Sequence, residues 1–269
     1  MNAACQSCPK AADAQWNLDA EQFDSVVALA GNPNTGKSTI FNALTGLRQH
    51  TGNWPGKTVT RAEGRFSYAD ADYKLVDLPG TYSLLSMSED ERIAQDFLVF
   101  GQPDVTIMVA DANRLERNLN LILQVLEITD SVVICLNLID EAERHGVRVD
   151  DGRLADELGV PVVPTVAHRR QGISRLIQTV HAVATGTLTT HPRGIPFELN
   201  GSHVKIEQLE RQLEQAFPGL PNARWVAVRL LDGDERIIQA VRRRTLERVR
   251  PEARHGDRAR RNAAAPSSD

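Results

Sequence analysis

Eight residues, GNPNTGKS at 31–38, constrain this chain more than any others. They match G-x-x-x-x-G-K-[ST], a pattern that works only with a strand running into it and a helix starting out of it. Both are predicted here: the apolar run VVALA fills 26–30, and the helical TIFNALTGL follows at 39–47. Gly31 and Gly36 let the backbone close around phosphate, with N–H groups converging at a helix N-terminus. Lys37 can reach the β- and γ-phosphates, and the Ser38 hydroxyl can ligate Mg²⁺. Gly31, Asn32, Pro33, Asn34, Thr35, Gly36, Lys37, Ser38 and Thr39 therefore form the expected phosphate site.

Further short, β-branched-rich runs follow: YKLVDL at 73–78, VTIMVA at 105–110, VVICLN at 132–137 and VPVVPT at 160–165. Runs of this kind suit strands buried on both faces of a parallel sheet. Between them lie helical signals, such as Leu115, Leu119, Ile122 and Leu126 on one face of LERNLNLILQVLE. Alternation of this kind predicts an α/β fold, a mostly parallel sheet flanked by helices. Residues 57–68 read as an added antiparallel strand, with Gly64 marking a turn or bulge. The alternation stops after 183, where ATGTLTTHPRGIPFELNG reads as a linker. Beyond it, Leu209, Leu213 and Ala216 share a helical face that Pro218 ends, and two more helices split at Asp232 and Gly233. The expected division is a nucleotide domain at 23–183, a linker and small all-α helical domain at 184–250, and disordered tails at 1–22 and 251–269.

At 269 residues there is room for both units. A net charge of −4, with both signs mixed along the chain, argues against a nucleic-acid partner, which needs a concentrated basic face. No run approaches the ~20 apolar residues of a membrane helix, and no signal-peptide layout opens the chain, so the expected location is cytoplasmic. Three cysteines make no disulfide framework. Cys135 reads as a buried strand residue. Cys5 and Cys8 form a C-x-x-C in the tail without the further ligands that a zinc or iron site takes.

Three more segments fall where a guanine-nucleotide hydrolase needs them. DLPG at 77–80 ends a strand, so Asp77 can hold a Mg²⁺-bound water and the Gly80 N–H can touch a γ-phosphate. NLID at 137–140 ends the strand of Cys135; the Asp140 carboxylate can accept from N1 and N2 of guanine, an edge that adenine lacks. A mismatched base would leave that charge unsatisfied, which enforces selectivity. TVA at 165–167 follows the next strand and sets the Ala167 N–H toward guanine O6.

With these residues in view, the chain resembles the Ras-like GTPases, and among them one branch. TGNWPGKTV at 51–59, DLPGTYSL at 77–84, SEDERIAQDFL at 88–98 and DANRLERNLNLILQVLE at 111–127 are similar to the G domain of the bacterial ferrous iron transport protein B family. RWVAVRLLDGDE at 224–235 is similar to that family's helical, GDI-like domain, and the likeness spans about 26–241. The resemblance implies a nucleotide site that also takes Gly56, Lys57, Thr58, Asn137, Val166 and Ala167. It matches Thr58 to the switch I threonine that completes the Mg²⁺ shell, and Asn34 to an asparagine that binds K⁺ in potassium-activated members. The implied catalytic set is Asn34, Lys37, Thr58 and Gly80. Where a Ras-like protein carries a glutamine, this chain has Thr81 and Tyr82, so a slow, K⁺-stimulated GTPase (GTP to GDP and phosphate) is expected. Val166 stands where the family usually has a serine, which implies a less firmly anchored base loop and faster nucleotide release.

The family's proteins continue into a polytopic membrane domain. The resemblance therefore implies a regulatory piece at the cytoplasmic face of the inner membrane, with that domain attached or missing. Small accessory proteins of the iron transport system and a homo-oligomer are further partners it admits. Residues 258–261 read either as a basic stretch near the membrane or as a solvated tail. The alternative, an RNA-associated GTPase of ribosome assembly or tRNA modification, would carry a basic RNA-binding domain after 183, and none is seen.

Overall fold

A computed structural model describes residues 23–46, 49–54, 57–84, 88–193, 203–218, 220 and 222–243. The expectations for the tails at 1–22 and 251–269, with Cys5 and Cys8, and for Gly56 lie outside the described residues. Strand β1 (Ser25–Gly31) sits at the centre of a seven-stranded sheet. Outward on one side lie β4 (Ala71–Asp77), β3 (Thr60–Tyr68) and β2 (Gln49–Asn53); on the other lie β5 (Val105–Asp111), β6 (Val132–Asn137) and β7 (Val162–Pro164). From β4 to β7 all neighbours are parallel, while β2–β3 and β3–β4 are antiparallel.

The continuous apolar character of β1 follows from this position. Val27 and Leu29 face one apolar cluster; Val26, Ala28 and Ala30 face the other. Helices α1 (Lys37–Thr45) and α6 (Ile173–Ala184) cover the first face. The second is covered by α2 (Glu89–Asp96), which continues into a π-helical turn at Phe97–Gly101, by α3 (Leu115–Leu126), and by residues of α4 (Ile139–Arg144) and α5 (Asp151–Leu158). A reciprocal capping box starts α2: the Glu91 N–H donates to Ser88 Oγ at 3.1 Å, and the Ser88 N–H to Glu91 at 3.3 Å.

Several expectations need correction. The predicted strand at 57–68 begins at Thr60, and it gains an unpredicted edge partner, β2. Gly64 makes no bulge; it pairs with Gln49 and Leu75 in unbroken register. Its role is close approach, because a Cβ there would stand 2.3 Å from Thr45 Cγ2 and 3.1 Å from Phe41 Cζ on α1. On α3 the buried face is Asn118, Leu121, Ile122, Val125 and Leu126, with Leu115 and Leu119 only half-buried. The face is rotated because buried Asn118 is pinned at the helix start: its amide donates to Arg114 O at 2.7 Å and accepts from the Asp111 N–H at 3.3 Å.

The C-terminal helices are α7 (His203–Ala216), α8 (Ala223–Leu231) and α9 (Glu235–Arg242), the last two split at 232–234. On α7 Ala216 is exposed, and Phe217, one residue on, is buried with Ile206 and Leu213. Trp225, Val226 and Ile237 join these in the same apolar cluster as Leu84, Ile93 and Phe97, so the helical segment packs against the α2 side of the sheet. Cys135 is buried as expected; its thiol is pushed up to about 12 by burial.

Candidate functional site

The ends of the parallel strands gather the predicted residues at one edge of the sheet, where an open α/β fold binds its ligands. The loop from β1 to α1 turns through Asn34 (φ 67°) and Gly36 (φ 84°). Its interior is fixed by its own groups: Thr35 Oγ1 donates to Asn32 O at 2.9 Å, and Asn137 Nδ2 donates to Thr35 O at 3.0 Å. A Cβ at Gly31 would stand 2.5 Å from Val109 O on β5, so only glycine passes there. Asn34 is exposed, as are Ser38 and Thr39 on the first turn of α1. Register places Asp77, the last residue of β4, beside Leu29. Its carboxylate pairs with the Lys37 ammonium. Burial holds the Asp77 carboxyl above the usual carboxylate range, against the opposing pull of Lys37. A Cβ at Gly80 would stand 3.5 Å from Pro33, and the Thr81 N–H donates to Gly31 O at 3.4 Å.

Thr58 is not drawn to this loop. It is exposed on a segment that closes on itself, with the Trp54 N–H donating to Val59 O at 3.0 Å and the Lys57 N–H to Trp54 O at 2.9 Å. Lys57 reaches instead to Glu89 of α2 at 3.4 Å. Buried Trp54 anchors the segment, meeting Phe97 edge-on at 5.5 Å with the Arg61 guanidinium 4.9 Å above its ring. The hydroxyls of Ser38 and Thr58 with the carboxylate of Asp77 make an all-oxygen donor set, the chemistry that fits Mg²⁺. The Asn34 side chain stands exposed at the rim of the loop.

A second cluster stands at the ends of β6 and β7. Asn137 is its hub: besides its bond to the phosphate loop, its Oδ1 accepts from Thr165 Oγ1 at 3.2 Å and from the Ala167 N–H at 3.1 Å. The Ala167 N–H, expected to face a base, here donates to Asn137. Thr165 was missed as an anchor by sequence reasoning; a threonine closing an apolar run was its only signal. The loop is further closed by paired bonds between Val166 and Gln171 at 3.1 and 3.2 Å. Arg170 (φ 57°) ties it to α1 by donating to Ala43 O at 3.0 Å. These bonds anchor the loop although residue 166 carries no hydroxyl. Both Asp140 oxygens are buried and have no hydrogen-bond partner among the described residues. Three basic side chains surround Oδ2 at longer range: His168 Nε2 at 3.6 Å, Arg169 Nη2 at 3.7 Å and Arg144 Nη2 at 4.0 Å.

The segment after DLPG is held by amides that the sequence did not single out. The Leu84 N–H donates to Gln124 Oε1 at 2.6 Å, Asn120 Nδ2 to Tyr82 O at 3.4 Å, and Gln95 Nε2 to Leu84 O at 3.1 Å. Gln95 also accepts from Arg236 of α9, and Arg236 Nη1 donates to Asp96 at 2.7 Å. Burial raises the Asp96 carboxyl above its usual range, with Arg236 opposing. Thr81 is buried, while exposed Tyr82 lies under the Arg117 guanidinium at 4.1 Å.

Comparison with known proteins gives two family matches: ferrous iron transport protein B over residues 25–180, and the FeoB cytosolic helical domain over 204–262. The Fe(2+) transporter FeoB of Salmonella typhimurium is 42% identical over 215 residues, covering 77% of this chain and 27% of that protein. The chain thus spans about a quarter of the length of such curated relatives. Among solved structures, the cytosolic domain of the T. maritima FeoB iron transporter in its GMPPNP form is similar at a TM-score of 0.72. Identity there is 37%, covering 89% of this chain and 92% of that one. The cytosolic domain of L. pneumophila FeoB is similar at 0.69 and 35%, covering 82% and 94%.

Proposed function

The chain belongs to the ferrous iron transport protein B family, and on that premise we propose that it binds GTP with Mg²⁺, hydrolyses it slowly to GDP and phosphate, and regulates iron uptake through a membrane domain. The observation that carries the guanine reading is the buried Asp140 carboxylate with both oxygens lacking hydrogen-bond partners. An unsatisfied buried acceptor is costly, and two parallel N–H groups on one ligand edge relieve both oxygens at once. Guanine N1 and N2 offer that edge. The test is displacement of fluorescent GDP: GTP and GDP should compete and ATP and ADP should not, and equal competition by ADP would overturn the reading.

In this reading the backbone N–H groups at 31–39 wrap the phosphates, and Lys37 leaves Asp77 to meet the β- and γ-oxygens. Ser38, Thr58 and Asp77 would hold Mg²⁺, which when bound neutralises charge shared by the β- and γ-oxygens. Lys57, now paired with Glu89 of α2, and Thr58 must fold over the nucleotide, a rearrangement that a γ-phosphate can drive, and Gly56 is read as joining them there. The Gly80 N–H, at the end of DLPG, would meet the γ-phosphate. Val166 and Ala167 close the base side.

Buried Thr81 and exposed Tyr82 supply no glutamine to orient water, so turnover rests on backbone groups, Lys37 and a monovalent cation. Asn34 would ligate K⁺. Asn34→Ala should abolish the difference in phosphate release between K⁺ and Na⁺ while leaving GDP affinity within about threefold. An undiminished K⁺ effect in that variant removes Asn34 from the role.

Regulation enters through α9. Arg236 holds Gln95, and Gln95 holds the carbonyl of Leu84 in the segment after DLPG. A contact that differs between nucleotide states must shift nucleotide affinity, and the nucleotide must shift the contact equally. Arg236→Ala should speed GDP release by about two- to tenfold with the fold intact by circular dichroism. An unchanged release rate would mean the helical segment does not sense the nucleotide.

No helix among the described residues is long and apolar enough to cross a membrane. The relatives are named as Fe(2+) transporters and are about four times as long as the matched span. The chain is accordingly read as the part of such a transporter at the cytoplasmic membrane face, with iron as the cargo of the remainder. Small accessory proteins and a second copy of the chain are the further partners this reading admits. The RNA-associated alternative is disfavoured by the net charge of −4.

A further inference from the structure

The Asp140 carboxylate is asymmetrically placed. Among the described residues no basic side chain pairs with Oδ1, while Oδ2 faces three from two elements: Arg144 of α4, and His168 and Arg169 of the turn Ala167–Arg169. Glu141 of α4 faces the same group and draws on Arg144 at 4.0 Å. The two arginines are always charged, but their side chains are 69% and 64% exposed, and they stand farther from Oδ2 than His168 does. His168, at 3.6 Å, is the nearest of the three, and a histidine, unlike an arginine, can stand either neutral or charged.

We propose that His168 is a positioning residue for guanine recognition, holding the Asp140 carboxylate charged and aimed at the base, and that its protonation slows nucleotide release. The proposal rests on the guanine reading above. When a base covers Asp140 it strips the remaining water from the carboxylate. A neighbouring cation offsets that loss more in the bound state than in the free one. The imidazolium Nε2–H can also close the 3.6 Å gap and take the Oδ2 lone pair that faces away from the base, leaving the other to the guanine amino group. A neutral imidazole gives the second effect weakly and the first not at all. The coupling must be modest, because His168 is half exposed and solvent screens the pair.

The experiment is the release rate of fluorescent GDP, chased with unlabelled GDP at fixed Mg²⁺, between pH 8 and pH 5.5. It compares the unmodified chain with His168→Ala and His168→Arg. Titration of the nucleotide phosphates is common to all three, so differences between them isolate the side chain. The unmodified chain should release GDP about threefold more slowly at the acid end than His168→Ala does, and the two should converge at pH 8. His168→Arg should be slow throughout, without the added acid response. Repeating the series with inosine diphosphate, which lacks the 2-amino group, should shrink the effect. A His168→Ala chain that keeps the full pH response, or that holds GDP more tightly than the unmodified chain in acid, overturns the proposal. If the unmodified chain fails to prefer GDP over ADP, the guanine reading itself falls. A guanine-selective chain with no His168 effect sinks only the present inference.

Discussion

Asp140→Asn is expected to weaken GDP binding by about 10²- to 10⁴-fold while raising affinity for xanthosine diphosphate. The magnitude follows from two charge-assisted hydrogen bonds, each worth ~1.5–3 kcal/mol, that an amide cannot reproduce. One end of the asparagine would turn an N–H toward the donors at guanine N1 and N2. Xanthine carries a carbonyl in place of the 2-amino group, so the same amide can pair with it. Nothing else in the cluster needs to move, because Asn137, Thr165 and Ala167 hold one another without help from Asp140. Competition binding with the two diphosphates checks the prediction, and a variant that loses both would show that the substitution disrupts the loop rather than the readout. Arg144, His168 and Arg169, left beside a neutral amide, should cost such a variant little stability, since all three are at least half exposed.

How much of this could be read before the fold was known depends on how local each signal is. The phosphate loop, DLPG and NLID are short motifs at strand ends. Their residues meet because a central parallel sheet brings strand ends to one edge, so the pattern of apolar runs sufficed to place them. β2 was illegible because QHTGN carries no apolar alternation; only its pairing with β3 makes it a strand. Gly64 was ambiguous in principle, since an interior strand glycine signals either a bulge or a close backbone approach, and only the position of α1 decides. The bond from Arg236 to Gln95 crosses 141 residues of sequence, and that from Arg170 to Ala43 crosses 127. No spacing rule reaches that far. The same limit explains why Asn137, expected only as a base-site residue, proves also to brace the phosphate loop through Thr35.

Lys37→Ala should lower GTP turnover by about 10²- to 10³-fold, the loss typical of removing one preorganised donor from developing charge. It should also weaken GTP more than GDP, because the ammonium reaches the γ-phosphate that GDP lacks. A second consequence is peculiar to this structure. In the structure Lys37 is the partner of Asp77, and both side chains are largely shielded from solvent. Removing the cation leaves a desolvated carboxylate unpaired, so the nucleotide-free variant should melt below the unmodified chain. Replacing both, as Lys37→Met with Asp77→Leu, should recover the melting temperature and leave turnover abolished. That outcome would separate two duties of Lys37: pairing with Asp77, and meeting phosphate. If Lys37→Ala binds GTP normally, the phosphate assignment of the whole 31–38 loop fails with it. If its melting temperature is unchanged, the ion pair contributes nothing to the fold, and the cost of separating Lys37 from Asp77 drops out of nucleotide affinity.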